Sequence, residues 1–475
     1  MHESTPRRGR NPRTRVLVAS TVTAAMAVLA ASTAPTASAT LPVLSSHATA
    51  VSKAHHKPVK KVKVDPRLFG VHDYWANSLG RAGTGAIRLW DAGVQWKDIY
   101  STPDSPDWSR LDTLVTEAHD NGTEVTLVLG LTPKFAAADP TDPAYATSMP
   151  DLDMYRQYVH DVMEHYSAAN WGYRGIAAYQ VWNEANIETF WTGTYAQLGQ
   201  LVKTVHDVRD QVDPGAKILA PAMVTRLKYQ QNGIKNFYKT TVAGKPVWKY
   251  VDAVSLNLYP LDAYPNPDPT RLGTPEDSMA LLSTVRGILA KDGVPKSLPI
   301  WNTEINYGLR FGVNGGKPAA SIPVGRQIAY VMRTFLLNAA QGVKRVDWYA
   351  YDMGNLPSGS PLGNTLLTDP ANRSAGTLMP AGLAFTRVQG WMKGTLIGTR
   401  TKRPCIRDKH GTYTCTITYA SGGVGRVYWN PYKSAKVTLA KSATKKVDEY
   451  GVTSKAKAGS RLKVNYQPVL VKSKR

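Results

Sequence analysis

Two glutamates each close an apolar run. Ala178-Tyr179-Gln180-Val181-Trp182-Asn183 leads into Glu184, and Pro299-Ile300-Trp301-Asn302-Thr303 leads into Glu304. A carboxyl so placed can give up a proton, take one, or attack an electrophilic carbon. Cleavage of a glycosidic bond needs a pair. One carboxyl stays protonated to donate to the leaving oxygen and the other is ionised to meet the anomeric carbon, with about 5 Å between them when configuration is retained. Taken singly, each glutamate has a second, less favoured explanation as a loop or first-turn carboxylate stabilised by a helix dipole. Their joint placement is what points to chemistry.

Strand-end positions carry this meaning only if the runs belong to one sheet. From Asp65 onward, short β-branched or apolar runs alternate with amphipathic stretches, the pattern of βα units around a parallel sheet. Eight runs qualify: Leu68 to Val71, Ala86 to Trp90, Glu124 to Leu129, Ile176 to Val181, Lys217 to Ala220, Ala253 to Leu258, Leu298 to Asn302, and Arg345 to Ala350. Eight strands close a (β/α)8 TIM barrel, whose chemistry sits at the C-terminal strand ends. On this count Glu184 follows strand four and Glu304 strand seven, which face each other across the mouth. Helices are predicted over Trp108 to His119, Met154 to Tyr166, Tyr195 to Val212, Asp277 to Ala290, Gln327 to Ala340 and Ala381 to Met392. After about Lys393 the chain turns to Thr, Val, Tyr, Gly and Lys in short alternating runs, the texture of a small all-β, sandwich-like domain. The expected layout is a signal peptide over 1–39, a basic linker over 40–64, the barrel over 65–395 and a C-terminal β-domain over 396–475.

Trp182-Asn183-Glu184-Ala185-Asn186 resembles the Asn-Glu motif on strand four of the retaining (β/α)8-barrel glycoside hydrolase clan, and Thr303-Glu304 resembles that clan's strand-seven nucleophile. The order of barrel then β-domain, and the 120 residues between the glutamates, look most like the β-xylosidase and α-L-iduronidase family, glycoside hydrolase family 39. Cellulase-like and arabinofuranosidase-like families are near alternatives. The resemblance implies a double displacement with Glu184 as general acid/base and Glu304 as nucleophile, Asn183 bonded to the sugar 2-hydroxyl, and no metal or organic cofactor.

The resemblance also implies that Arg88, charged inside an apolar run, pairs with Glu304; a buried guanidinium needs such a partner, the other reading being an outward-facing arginine. Tyr259 resembles the strand-six tyrosine that donates to the nucleophile, though a lone strand-end tyrosine serves packing equally well. Many relatives have a histidine two positions earlier, where this chain has Asn257. His72 and Asp73 follow strand one, where the clan shows polar residues touching the sugar; a structural histidine is the alternative. Of the 12 tryptophans, Trp90, Trp182, Trp301 and Trp348 stand near strand ends and Trp75, Trp96 and Trp191 in the following loops. Sugar stacking or barrel-mouth packing accounts for each, and Trp348 is the foremost stacking candidate.

The remaining features concern destination. Arg7, Arg8, Arg10, Arg13 and Arg15 precede an apolar run from Val16 to Ala31 and a small-residue cleavage site at Ala37-Ser38-Ala39, which predicts export. The run is short for a membrane span and is broken by Ser20, Thr21 and Thr23. Cys405 and Cys415, the only cysteines, flank a hairpin tip and are expected to form a disulfide; two cysteines without clustered histidines do not make a zinc site. The net charge of +23 lies largely in the leader, in Lys57 to Lys63 and after Lys433, which favours adhesion to an anionic cell-envelope polymer over nucleic-acid reading. Nothing demands more than a monomer. A catalytically silent barrel that binds wall polysaccharide is the competing reading, and sugar identity and exo or endo action are not encoded in spacing.

Overall fold

The computed structural model describes residues 61–474 except 77, 261–272, 311–320, 355, 357–359 and 400. The leader and nearly all of the basic linker lie outside the described residues. The barrel is present. Its strands are Phe69–Val71, Ala86–Leu89, Glu124–Leu129, Ala178–Val181, Lys217–Leu219, Val254–Asn257, Ile300–Ile305 and Val346–Trp348, each parallel to its neighbours. The ring closes between strand eight and strand one, with Val346 opposite Phe69 and Trp348 opposite Val71.

Strand five is broken. Pro221 cannot donate to a ladder, and the strand resumes only at Met223–Val224, which pairs with strand six. A single bridge, Leu219 to Ala253, carries closure below the break. One layer of the barrel interior is Ala178, Leu219, Ala253 and Trp301, from four successive strands, with the Arg345 guanidinium 4.1 Å from the Trp301 ring centre.

The six predicted helices form with ends shifted by a few residues, two of them started by capping boxes at Thr194 and Thr274. A further helix, Lys228–Tyr238, crosses between strands five and six. Its buried face is Gln230, Gly233, Ile234, Phe237 and Tyr238, too polar and too glycine-interrupted to show as a period. Gly233 is required there: a Cβ would lie 2.8 Å from the Asn186 Cβ.

The C-terminal domain is all-β. Its main sheet runs Lys61–Lys63, Thr395–Ile397, Tyr413–Thr418, Val424–Trp429, Val469–Ser473, Ala443–Val447, Thr453–Lys455, all antiparallel. Its edge strand thus comes from the end of the segment that reads as linker. The pair Ala435–Thr438 and Arg461–Val464 covers a second small core of Tyr428, Leu439, Ala443, Ala456, Val464 and Val471. Cys405 and Cys415 are disulfide-bonded across a hairpin whose tip is closed by Asp408, which accepts from His410 N and Thr412 N.

A buried ion pair joins the two parts. Arg333 and Glu276, 0% and 3% exposed in their side chains, form a salt bridge between neighbouring helices; Trp429 Nε1 donates to Glu276 at 2.8 Å and Arg333 donates to the Tyr466 carbonyl at 3.3 Å. Deleting one member strands the other charge in a dry interface. Glu276→Gln or Arg333→Met alone is therefore expected to cost about 3–5 kcal/mol in denaturant unfolding, and an apolar Glu276→Leu, Arg333→Met double variant to recover most of it. A double variant as damaged as its singles would show that packing, not charge, holds the joint.

Candidate active site

Local backbone features aim the two glutamates. After strand four, Trp182 and Glu184 take positive φ values of 68° and 43°, conformations that cost non-glycine residues of order 1 kcal/mol or more and turn the chain sharply. Asn186 clamps the end of this turn: its amide donates to the Val224 and Gln230 carbonyls and accepts from Val224 N, tying the turn to the resumed fifth strand. At strand seven, Leu256 pairs with Asn302 but Asn257 pairs with Glu304, a bulge at Thr303 that redirects the next side chain.

The carboxyls meet at Asn257. Its Nδ2 donates to Glu184 Oε1 at 2.9 Å and to Glu304 Oε2 at 3.3 Å. Because both bonds start from one nitrogen, the two oxygens lie within about 6 Å of each other. The amide is held this way round because Thr303 Oγ1 donates to Asn257 Oδ1 at 2.9 Å. Asn257 was legible only as a departure from the family's histidine, and its bridging role is the main feature that spacing did not reveal.

Beneath the pair lies Arg88, with a side chain 0% exposed. It donates to Gln180 Oε1 at 2.9 Å, to Asn183 Oδ1 at 2.8 Å and to Glu304 Oε2 at 3.3 Å. Arg88 thus points into the barrel mouth and not outward. Tyr259 OH donates to Glu304 Oε1 at 2.8 Å. Among the hydrogen bonds of the described residues, Glu304 thus faces three donors and Glu184 shares one of them.

His72 is 1% exposed, so it offers little to a ligand. Its Nε2 lies 2.9 Å from the Thr303 carbonyl, which requires the proton there, and 3.3 Å from Arg88. Burial and the Arg88 charge hold it well below the usual histidine range, so it is a neutral prop beside the guanidinium. Asp73 instead caps the following turn, accepting from Trp75 N and Ala76 N.

Trp348 does not offer a stacking face. It is 0% exposed and donates Nε1 to the Thr365 carbonyl at 2.9 Å. Strand alternation is the reason: Trp348 points to the helical layer against Tyr307, and the next residue, Tyr349, points to the site. Tyr349 sets its ring edge-on to His72 at 4.8 Å and donates to Asp91. Of the other tryptophans, Trp90, Trp96, Trp182, Trp191 and Trp301 are buried and Trp75 is half-buried.

Burial, then the negative charge of Glu184, push Glu304 up to about 8, against the pull of Arg88 and Tyr259; burial raises Glu184 too. Two carboxyls that interact this strongly titrate as a unit and keep one proton through neutrality. The donors decide where it rests. Glu304, bonded to a cation, a phenol and an amide, has the stronger claim on the negative charge; Glu184, whose burial is opposed by the Asn257 amide and the charges of Arg226 and Arg88, is the other seat of the shared proton. The arrangement therefore sets two carboxyls that share one proton side by side at the barrel mouth. Among the described residues, no group of three or more histidines, cysteines and carboxylates is placed to hold a metal ion.

A barrel with facing strand-four and strand-seven carboxyls is the class this fold and site define. Solved structures share the fold. The chain is similar to a glucosidase from Croceicoccus marinus (14% identity, TM-score 0.58, 88% of this chain and 97% of that one). It is likewise similar to a GH39 enzyme from Xanthomonas axonopodis pv. citri (14%, 0.55, 90% and 100%) and a GH30 endoxylanase from Clostridium papyrosolvens (12%, 0.55, 88% and 98%). No family model and no curated protein matches the sequence.

The shared proton has a consequence for stability. Folded, the pair keeps a proton that unfolded glutamates release above about pH 4.3, so the native state binds more protons and stability falls as pH rises from there towards about 8. Glu304→Gln is expected to gain in thermal midpoint relative to the parent as pH is raised over that window, and little below it. A parallel pH dependence of both proteins would remove the pair from this role.

Proposed function

We propose that the chain is a secreted retaining O-glycosidase in which Glu304 is the nucleophile and Glu184 the acid/base. The observation that carries the reading is the Asn257 amide shared between the two carboxyls, because it keeps them too close to hold an attacking water beside the sugar carbon, which needs roughly 6.5–9.5 Å, and near the roughly 5 Å of retaining enzymes. The kinship in fold with enzymes described as a glucosidase and an endoxylanase supports a carbohydrate substrate.

In the first step a Glu304 oxygen attacks the anomeric carbon while the bond to the leaving oxygen breaks, and the Glu184 proton goes to that oxygen. In the second, Glu184 takes a proton from water, the hydroxyl attacks the anomeric carbon from the vacated side, and Glu304 departs as carboxylate. Formation of the ester neutralises Glu304, so Glu184 no longer shares a proton with a second carboxylate and is free to act as base. Asn183 accepts from Arg88 through Oδ1, which leaves its N–H groups for the sugar 2-hydroxyl. Tyr259 and Arg88 hold the nucleophile in its ionised form and in register.

Incubation with aryl 2-fluoroglycosides bearing good leaving groups, followed by peptide mass spectrometry, is expected to leave a stable adduct on the Glu304 peptide. An adduct on the Glu184 peptide would reverse the assignment. Glu184→Gln is expected to slow substrates with poor leaving groups by two or more orders of magnitude, within the usual span of general acid catalysis, and activated ones far less. Equal slowing of both would remove Glu184 as the proton donor.

A further inference from the structure

Between residues 396 and 475 stand eighteen lysines and arginines against three acids, Asp408, Asp448 and Glu449. The acids are engaged locally. Asp408 closes the disulfide hairpin, Asp448 accepts from Tyr450 N and Val452 N, and Glu449 accepts from Gln467. The cations, in contrast, are set against one another. Lys445 pairs in register with Lys455 on one side and with Lys472 on the other, so three lysines stand abreast on three adjacent strands. Lys445 and Lys455 are exposed and Lys472 half-buried, and among the described residues none of the three forms an ion pair. On the smaller sheet, Lys436 lies directly across from Lys463.

Like charges directly opposite in a sheet are destabilising. A sheet that keeps a row of three with no counter-charge of its own lacks an anion. The row has direction as well as sign. Strands lie about 4.8 Å apart, so the cations are spaced at nearly the advance of one pyranose along an extended glycan. Opposite Lys472 the next strand has Gly425, where a Cβ would come within 3.1 Å of the Tyr419 ring, and Lys472 Nζ lies 5.8 Å from that ring's centre. The row therefore ends on an aromatic that rests against a glycine. The groove of about 380 Å³ in the same domain, where Lys446 and Lys463 stand with Asp448 and Glu449, carries balanced charge and is not part of the row. Single-stranded nucleic acid is held by repeated aromatic stacking, and no aromatic stands between the three lysines.

We infer that the row Lys455, Lys445, Lys472, ending at Tyr419, is a binding surface for an acidic polysaccharide that carries a carboxylate on each sugar. This gives the anionic partner expected from the net charge a specific place and chemistry, and it does not depend on the barrel being catalytic.

The test uses the full chain and fluorescently labelled polygalacturonate, with affinity followed against salt. The parent is expected to bind, with affinity falling steeply as salt rises. The triple variant Lys445→Gln, Lys455→Gln, Lys472→Gln is expected to bind at least tenfold more weakly, with a salt slope reduced by roughly two to three. The corresponding triple arginine variant is expected to keep binding. Thermal melting of both variants reports folding, and hydrolysis of small neutral aryl glycosides reports the barrel separately, so failure of the catalytic reading would leave this assay intact. Equal binding of fully methyl-esterified polygalacturonate, equal or tighter binding of polyphosphate or single-stranded DNA, or undiminished binding by the glutamine variant would each overturn the inference.

Discussion

The Arg88 guanidinium is the constraint on which the site depends. A cation wholly removed from water costs several kcal/mol unless its N–H groups find acceptors, and two strands supply them: Gln180 and Asn183 from around strand four and Glu304 from strand seven, with His72 of the strand-one end alongside. Gln180 and His72 are each fixed by a second bond. Gln180 donates back to the Trp182 carbonyl, and His72 must carry its proton towards Thr303. Arg88 thus ties the turn that carries Glu184 to the strand that carries Glu304, and its charge favours an anion on the second.

Asn257 completes what Arg88 starts. A histidine there would add a titrating group to a site that already shares a proton; an amide donates to both carboxyls without changing charge. Two buried carboxyls with one proton are unfavourable for stability as pH rises, and the positive φ at Trp182 and Glu184 adds strain. Such costs are borne only where the surroundings leave no alternative. Here Asn186, the broken fifth strand and the Lys228–Tyr238 helix hold the turn from behind.

Much of the barrel was legible because its strands are short apolar runs and its helices mostly show one apolar face. Glu184, Glu304, Arg88 and Tyr259 were legible because each stands where polarity interrupts or ends such a run. The rest depends on information that periodicity lacks. Trp348 and Tyr349 are neighbours of similar type, and only strand register decides which one turns inward. Lys228–Tyr238 hides behind a buried Gln230 and Gly233. Lys61–Lys63 carries no strand pattern of its own and is ordered by its partner, Thr395–Ile397, more than 330 residues away.

That pairing bears on how the two parts of the molecule act on each other. The chain passes through the β-domain's edge strand before it enters the barrel and returns after the last helix, so both ends of the barrel are anchored in one sheet. The buried Arg333, Glu276 and Trp429 contact fixes a third point. Three attachments leave the β-domain little freedom to swing, unlike a module on a flexible tether. A glycan bound to its lysine row would be presented to the barrel in one orientation, so the domain's contribution would lie in the direction from which a chain arrives as well as in affinity.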